Sequence, residues 1–325
     1  MDKPNNSTVV AITGANGFIG KYLVNALSEN KNISIRVLVR KSSSSNNWGS
    51  SVTEIEGDLT KPDTLKAFLL EGCVVINLAY SFSATDNQNI TVINNLIDIC
   101  KTNKIKRLIH CSTAAVYGRV KEDVVNESSD CSPRTNYGKT KLLIEQTLNE
   151  ASRGSFEYVN IRPTAVYGPE GQALMKLINN LENANNFSNY LRSCLFNARS
   201  LNLVHVDNVV AAIIFLMDLN KDVNGQTYIV SEDFETNNNY KYVENFFLKN
   251  LIKRKYIVPP IPVPLIFLSW ALRLRGRDSV NPRMVYGAEK LRNMGFKYEV
   301  SLDSGLNDLC EWYKSQKNIK ASGVS

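Results

Sequence analysis

The sequence predicts an α/β fold built on a doubly wound parallel sheet, with helices packed on both of its faces. Two observations support this prediction. Short, apolar, β-branched runs alternate with segments whose apolar residues recur at helical spacing, and the connections between them are short. The first run, at 9–13, leads into three glycines with the spacing G-x-x-G-x-x-G, which is typical of a strand that turns sharply into a helix.

The glycine turn at Gly14, Gly17 and Gly20 predicts a binding site for a pyrophosphate. The first glycine permits the sharp turn, the second lets the backbone approach the anion, and the third lets the helix pack closely on the strand. The amide groups at the helix N-terminus then face the anion. The same triplet also occurs in ordinary strand-to-helix turns, but its position after a buried-type strand near the N-terminus favours a Rossmann-type nucleotide site.

The other elements continue the same alternation along the chain. Further strands are predicted at 33–39, 52–56, 74–79 and 107–112, and helices at 62–70, 87–102 and 137–151. The following segments predict helices at 173–181 and 209–217 and strands at 201–206 and 226–230. Ligands of such sheets bind beyond the carboxyl ends of the strands, so the polar residues at those ends are the candidates for function.

The composition limits the classes of protein to which this chain can belong. The 325 residues are 43% hydrophobic and 21% charged, which is typical of a globular protein with a sizeable core. We attribute the net charge of +7 to a solvated surface, with attraction to anionic substrates as the alternative. A nucleic-acid partner is not expected, because no basic stripe with interleaved aromatic residues is present. The six cysteines show no C-x-x-C spacing, so no metal site is expected.

Two segments bear on location. Residues 1–8 are polar and contain no apolar signal core, so a cytoplasmic location is expected. The apolar stretch at 257–274 is interrupted by four prolines, and we therefore expect no integral membrane segment there. Contact of this stretch with a membrane surface is the alternative.

The end of the second strand bears on the choice of cofactor. Folds that bind NAD usually place an acid there, which accepts a hydrogen bond from the ribose 2′-hydroxyl. This sequence has Arg40 and Lys41 instead, followed by a loop rich in serine. Because a guanidinium group pairs with a 2′-phosphate, NADP(H) is favoured over NAD(H). The alternative is that Arg40 stacks on the adenine or faces solvent.

A tyrosine and a lysine four residues apart form the candidate catalytic pair. If the segment is helical, Tyr137 and Lys141 lie one turn apart on the same face. A nearby ammonium group favours the phenolate, so the pKa of Tyr137 is expected to lie below its usual value near 10. Such a phenol can exchange a proton with a substrate oxygen. The spacing alone also fits a packed tyrosine beside a solvated lysine.

Together, these motifs resemble the extended short-chain dehydrogenase/reductase superfamily, in its branch of nucleotide-sugar epimerases, dehydratases and reductases. The resemblance covers nearly the whole chain. The matching motifs are the glycine turn, Gly57-Asp58-Leu59, Asn77-Leu78-Ala79, the segment from Ser112 to Gly118, the pair Tyr137 and Lys141, the segment from Arg162 to Pro169, and the segment from His205 to Asn208.

The resemblance implies a nicotinamide cofactor and a nucleotide-sugar substrate. Tyr137 would be the acid/base, Lys141 would hold the nicotinamide ribose and tune Tyr137, and Thr113 would hydrogen-bond the reacting oxygen. The implied cofactor residues are Gly14, Asn16, Gly17, Phe18, Ile19, Gly20, Arg40, Asp58, Leu59, Leu78, Ala79, Tyr80, Ser112, Tyr137, Lys141, Pro163 and Val166. The implied substrate residues are Thr113, Tyr137, Thr164, Arg199 and Arg275, with Arg277 as the alternative to Arg275.

The resemblance also implies two domains and a homodimer. The cofactor domain would comprise 1–165 with a returning segment at about 200–231, and a smaller C-terminal substrate-binding domain would comprise 166–199 and 232–325. The long helices at 87–102 and 137–151 would form the dimer contact.

Three departures from the family pattern guide the choice of reaction. Ala114 and Ala115 stand where 4,6-dehydratases carry two acids, Arg40 replaces the acid expected of a 4-epimerase, and only two histidines exist to serve a 3,5-epimerising reductase. The sequence therefore predicts an NADPH-dependent reductase of a nucleotide-activated 4-keto-6-deoxy-hexose. The alternatives are an NAD-dependent nucleotide-sugar 4-epimerase, a steroid- or flavonoid-type ketoreductase, and a non-catalytic NADP sensor.

Overall fold

A computed structural model describes residues 8–40, 48–49, 51–118, 120, 122–264 and 281–321. The predicted site residues Lys41, Arg275 and Arg277 lie outside the described residues. The chain forms two compact units. The first consists of the described residues within Met1–Gly118, Pro133–Arg162 and Val210–Tyr228, and the second of those within Arg119–Ser132, Pro163–Val209 and Ile229–Ser325.

A seven-stranded sheet confirms the predicted doubly wound fold. The strands of the described chain are β1 (Thr8–Thr13), β2 (Ile33–Val39), β3 (Val52–Glu56), β4 (Val74–Asn77), β5 (Arg107–Cys111), β6 (Val124–Val125), β7 (Glu157–Pro163), β8 (Ala165–Tyr167), β9 (Leu203–His205), β10 (Gln226–Val230) and β11 (Val285–Tyr286). The order in the sheet is β10-β7-β5-β4-β1-β2-β3. The pairings from β3 through β7 are parallel, and the order reverses beside β1, which is the switch point where such folds bind ligands.

The helices connect the strands of this sheet and then build the second unit. They are α1 (Phe18–Ser28), α2 (Asp86–Thr102), α3 (Asn136–Ser152), α4 (Met175–Asn183), α5 (Asn186–Phe196), α6 (Val206–Asp218), α7 (Tyr240–Phe247), α8 (Glu289–Asn293) and α9 (Leu302–Ala321). Within the described part of the chain, none of them is both long enough and apolar enough to cross a bilayer.

Local sequence explains where the helices around the site begin. Thr85 caps α2 by accepting from the backbone N–H of Gln88, and the Gln88 side chain accepts from the N–H of Thr85 in return. Thr135 caps α3 in the same way through the N–H of Gly138. The two helices contact each other, and their apolar faces pack against β4 and β5, whose residues are all buried. The start of α3 is therefore fixed beside the ends of the central strands.

The predicted helix at 62–70 is wrong. The structure has only a 3-10 turn at Pro62–Leu65. The N–H of Phe68 donates to the carbonyl of Leu65, three residues earlier, and the side chain of Arg36 donates to the carbonyl oxygens of Ala67 and Phe68. Thr64 is in turn tied to the backbone N–H of Asp58 at 2.9 Å. Because these groups already have partners, the segment packs as a turn over the sheet.

The second unit has its own core and two small sheets. Its buried residues come chiefly from α4, α7 and α9 and from the short strand β9. β8 pairs with β9, and β6 pairs with β11, both in parallel register. These strands are two or three residues long, so they order local segments and form no second large sheet.

Candidate active site

The glycine turn between β1 and α1 leaves room for a ligand and no room for side chains. Gly14 has φ +75°, and a Cβ there would lie 2.8 Å from the backbone nitrogen of Ala79. A Cβ on Gly20 would run into the carbonyl oxygen of Gly14. The N-cap of α1 is Gly17, which has no side chain to bond the first amides of the helix. Those N–H groups are therefore available to an anion.

A cleft of about 620 Å³ opens beside this turn, within the first unit. Nine of the predicted cofactor residues line it: Gly14, Asn16, Gly17, Arg40, Asp58, Leu59, Leu78, Ala79 and Tyr80. Phe18, Ile19 and Gly20 lie in the first turn of α1 and do not line this cleft. The cleft thus follows the carboxyl ends of β1, β2, β3 and β4.

Sequence reasoning missed one wall of the cleft. Ser81, Ser83, Gln88, Asn89 and Val92 line it from the start of α2 and the loop before it. The signal that could have found this wall was the capping box at Thr85 and Gln88. It marks a helix N-terminus directly after the strand that ends at Asn77.

Arg40 and Asp58 meet at the rim that belongs to β2 and β3. Arg40 is exposed, and its positive charge contributes to lowering the pKa of Asp58. The backbone N–H of Thr60 donates to the Asp58 carboxylate at 2.9 Å, and this bond, helped by the Thr60 hydroxyl and by Arg40, holds the pKa of Asp58 below its usual value. The rim therefore offers one anchored carboxylate and one guanidinium group that reaches toward solvent.

Tyr137 and Lys141 lie in the first two turns of α3, as the spacing predicts, but their contacts differ from the expectation. Lys141 is buried and donates from Nζ to the carbonyl oxygen of Cys111 at 2.9 Å. The same Nζ lies 4.9 Å from the centre of the Tyr80 ring. The Tyr80 ring stands edge-on to Tyr137 at 5.0 Å, and Phe82 stacks on Tyr137 at 5.2 Å. Tyr80, which lines the cleft, thus touches both members of the pair.

The expected fall in the pKa of Tyr137 is wrong. Burial raises the pKa of Tyr137 to about 12, and a hydrogen bond from Thr113 offsets only part of that rise. Burial also lowers the pKa of Lys141, which Cys111 and Glu145 partly restore. The physical reason is that burial removes water from the phenol, which disfavours the charged phenolate, and Cys111 and Tyr80 act in the same direction. At neutral pH the phenol is therefore protonated.

The segment after β5 places two hydroxyl groups beside this pair. Thr113 caps the short turn Ala114–Val116 by accepting from the N–H of Ala115 at 3.2 Å, and its hydroxyl bonds Tyr137. Ser112 is buried, and its Oγ has no hydrogen-bond partner among the described residues. A buried hydroxyl without a partner is costly, which fits a group that is satisfied by a bound ligand.

A row of buried polar side chains fixes the ends of the central strands. Thr13 donates to Asn77 at 2.6 Å, and the amide nitrogen of Asn77 donates to Nδ1 of His110 at 3.0 Å. Burial holds the pKa of His110 well below its usual value, so the ring is neutral. This row links β1, β4 and β5 near their carboxyl ends, and it was not predicted from the sequence.

Four predicted residues belong to the second unit or to its border. Pro163 ends β7, and Val166 lies in β8. Thr164 joins the two strands, and its N–H donates to the carbonyl of Val230 at 3.1 Å. The guanidinium of Arg199 lies 5.7 Å from the centre of the Phe196 ring. In the same unit, Arg283 lines a cavity of about 470 Å³ together with Ser200, which the sequence analysis did not anticipate.

These residues fit a dinucleotide cofactor. The uncapped amides of α1 and the unpartnered Ser112 hydroxyl are each explained by a ligand that carries phosphate and hydroxyl groups. The fold and the site define an enzyme of the extended short-chain dehydrogenase/reductase type. The chain belongs to the NAD dependent epimerase/dehydratase family, whose sequence profile matches residues 10–231.

Similar proteins support this assignment. The dTDP-D-glucose 4,6-dehydratase of Dictyostelium discoideum is 26% identical, over 95% of this chain and 82% of its own length. The 2-alkyl-3-oxoalkanoate reductase of Shewanella oneidensis is 24% identical, over 96% of this chain and 85% of its own. The crystal structure of UDP-glucuronic acid 4-epimerase from Bacillus cereus, with UDP-glucuronic acid and NAD, has a TM-score of 0.69 at 20% identity, and the match covers 95% of this chain and 100% of that one. That structure has the same fold. The predicted superfamily, its nucleotide-sugar branch and the use of a nicotinamide cofactor are confirmed.

Proposed function

We propose that the protein is an NADPH-dependent reductase of a nucleotide-activated 4-keto-6-deoxy-hexose. The observation that carries this proposal is Arg40, which follows the last residue of β2 and lines the cleft beside the glycine turn. Reduction of a ketone consumes one hydride and one proton, so a reductase needs a cofactor that it can exchange, and a guanidinium group at this position can pair with the 2′-phosphate of NADPH. A 4-epimerase instead returns its hydride to the same sugar and consumes no NADPH.

The site residues have matching roles in this reaction. A bound reduced nicotinamide supplies the hydride that adds to C4. Tyr137 donates its proton to the carbonyl oxygen, which becomes the C4 hydroxyl. Thr113, which already bonds Tyr137, donates to the same oxygen as negative charge develops there. Lys141, held by the carbonyl of Cys111, keeps a fixed positive charge beside them and holds the nicotinamide ribose.

Arg40 supports NADPH as the reductant. It lines the cleft at the end of β2, where a guanidinium group can pair with the 2′-phosphate. Asp58 lies two residues after the end of β3, and one oxygen of its carboxylate accepts both hydrogen bonds from Thr60. In this proposal Gly14, Asn16, Gly17, Leu59 and Ala79 line the remainder of the cofactor site.

The substrate class rests on the relatives and on three residues. The Dictyostelium relative is named for a dTDP-sugar, and the Bacillus cereus structure holds a UDP-sugar. Arg199 is the proposed diphosphate ligand and Thr164 a sugar ligand. Ala114 stands in the turn after Thr113, where a methyl group cannot move a proton at C5 or C6. This difference separates the chain from the dehydratase activity for which its relative is named.

A nucleotide-sugar 4-epimerase is the second candidate. Two findings favour this activity. The chain has the same fold as the Bacillus cereus UDP-glucuronic acid 4-epimerase, and it matches the profile of the epimerase/dehydratase family. An epimerase of this kind returns its hydride to the same sugar, so it keeps its cofactor bound and consumes none.

The test uses a panel of nucleotide-linked 4-keto-6-deoxy sugars with NADPH, and the matching nucleotide hexoses without added cofactor. We expect NADPH oxidation with at least one 4-keto sugar. Tyr137→Phe should lower turnover by about 100-fold or more while NADPH binding, followed by its fluorescence, is kept. Tyr313→Phe on α9 is the control and should not change turnover. Inversion of a nucleotide hexose by protein that retains stoichiometric NAD would establish the epimerase instead.

A further inference from the structure

The positive charge of the chain is concentrated in one segment. In the sequence no acidic residue stands between Glu244 and Asp278. The interval contains seven basic residues, so its formal charge equals the net charge of the whole chain, +7. Four of them, Lys249, Lys253, Arg254 and Lys255, are described and exposed. Among the described residues, none of these four forms an ion pair. Their charge is therefore uncompensated at this surface.

The backbone that follows these cations is held in place by contacts within the second unit. Tyr256 donates from its hydroxyl to Glu244 at 3.0 Å, and the hydroxyl of Tyr190 donates to the carbonyl of Pro259 at 3.4 Å. The N–H of Val263 donates to the carbonyl of Cys194 at the end of α5, at 2.9 Å. The side chains that point outward from this segment are thus presented by a fixed surface.

Large apolar side chains near these cations are exposed to solvent. Ile257 is fully exposed, and Ile261 and Phe187 are each 68% exposed. A groove of about 470 Å³ is lined jointly by Phe187, Ile257, Val258 and the basic pair Arg254 and Lys255. We call the set formed by Lys249, Lys253, Arg254, Lys255, Ile257, Val258, Ile261 and Phe187 the basic–apolar patch.

We propose that the basic–apolar patch docks on the surface of an anionic lipid bilayer. Cations beside exposed aliphatic side chains match the two layers of such a surface, because the cations meet the phosphate headgroups while the aliphatic tips enter the acyl boundary. A second copy of the chain fits less well, since a two-fold contact would set the same cations against each other. A nucleic acid would leave Ile257 and Ile261 without an apolar partner. The inference does not depend on the reaction that the protein catalyses.

Co-sedimentation of the full chain with vesicles tests this docking. Vesicles of phosphatidylcholine alone are compared with vesicles that also contain phosphatidylglycerol, at low and high salt. One variant combines Lys253→Gln, Arg254→Gln and Lys255→Gln, and a second combines Ile257→Ser with Ile261→Ser. The control combines Lys101→Gln, Lys104→Gln and Lys106→Gln, which removes the same charge from three exposed lysines of the first unit. Thermal unfolding confirms that each variant is folded.

We expect binding to the anionic vesicles only, with a loss at high salt. The basic variant should bind roughly 100-fold more weakly, at about fivefold per residue, and the apolar variant roughly tenfold more weakly. The control should lose fivefold or less. Equal loss in the control, no binding to anionic vesicles, or binding that both patch variants retain would overturn the proposal. If the unaltered protein does not bind vesicles but dimerises or binds an oligonucleotide, and both patch variants abolish that association, the proposal would be overturned in favour of that partner.

Discussion

At the scale of single residues, the chemistry of Tyr137 depends on neighbours that are remote in sequence. The pairing of Tyr137 with Lys141 follows from their spacing and could be predicted. The raised pKa of Tyr137 could not be predicted, because it comes from burial in the fold and from Cys111 and Tyr80, which are remote from Tyr137 in sequence. Local spacing indicates which groups are near each other, whereas burial decides which protonation state they adopt.

Arg40 gives the sharpest prediction at this scale. Arg40→Asp removes the proposed partner of the 2′-phosphate and supplies an acceptor for a ribose hydroxyl. We expect the ratio of kcat/KM for NADPH to that for NADH to fall by about 100-fold or more, since a charge-assisted pair is lost and a repulsion gained. Steady-state kinetics with both cofactors measure the ratio.

Lys21→Asp, a similar charge change on α1, is the control for general electrostatics. A ratio that stays the same in Arg40→Asp would exclude the 2′-phosphate role.

At the scale of elements, a buried ion pair ties the helix that carries the candidate pair to the sheet. Glu145 on α3 accepts two hydrogen bonds from Arg162 on β7, at 2.6 and 3.2 Å, and Arg162 also donates to the Tyr117 hydroxyl at 2.8 Å. Both charged side chains are buried. Removing one partner of such a pair leaves the other charge buried and uncompensated.

Glu145→Ala should therefore lower the free energy of unfolding by about 3–5 kcal/mol. Denaturant unfolding measures the change. Glu311→Ala breaks the exposed pair with Lys314 and should cost less than about 1 kcal/mol. Equal effects of the two substitutions would show that the buried pair does not stabilise the position of α3.

The elements were predictable where local sequence decides them. The apolar runs of β1, β2 and β4 and the spacing in α2 needed no tertiary information. The segment at 62–70 was misread because its conformation depends on contacts outside it: Arg36 of a neighbouring strand donates to the carbonyls of Ala67 and Phe68, and Thr64 accepts from the N–H of Asp58. The two- and three-residue strands of the second unit are too short to leave a periodic signal.

At the scale of the whole molecule, stability should depend on pH through Glu232. This carboxyl is 1% exposed, and burial raises its pKa from 4.5 to about 7, although His205 and Asn208 donate to it. Because the folded pKa lies above the unfolded value, the fold loses stability as the pH rises from 4.5 through 7. The loss amounts to about 3 kcal/mol, and burial raises the pKa of Asp233 to about 6, which acts in the same direction.

Glu232→Gln should flatten this dependence, because an amide does not ionise. Thermal midpoints at pH 5 and pH 8 should differ less in the variant than in the natural protein. Glu311→Gln, which changes an exposed carboxyl, should leave the difference as it is. An unchanged difference in Glu232→Gln would show that this carboxyl titrates normally.

The alternation of strands and helices was enough to predict the overall fold. Together with the glycine turn, it also predicted that the protein binds a nucleotide. The reaction could not be predicted to the same degree, because the proposed reductase and the alternative epimerase would use the same glycine turn, Thr113, Tyr137 and Lys141. They differ in the fate of one hydride and one proton.

The fate of the hydride is therefore the most direct test of the proposed reductase. The protein is given NADPH that carries deuterium in the transferable position, together with a nucleotide-linked 4-keto-6-deoxy-hexose. We predict one deuterium at C4 of the product for each NADPH oxidised, as read by mass spectrometry and NMR. The reductase proposal is contradicted if no 4-keto sugar of the panel gains deuterium while a nucleotide hexose is inverted at C4 with no NADPH consumed.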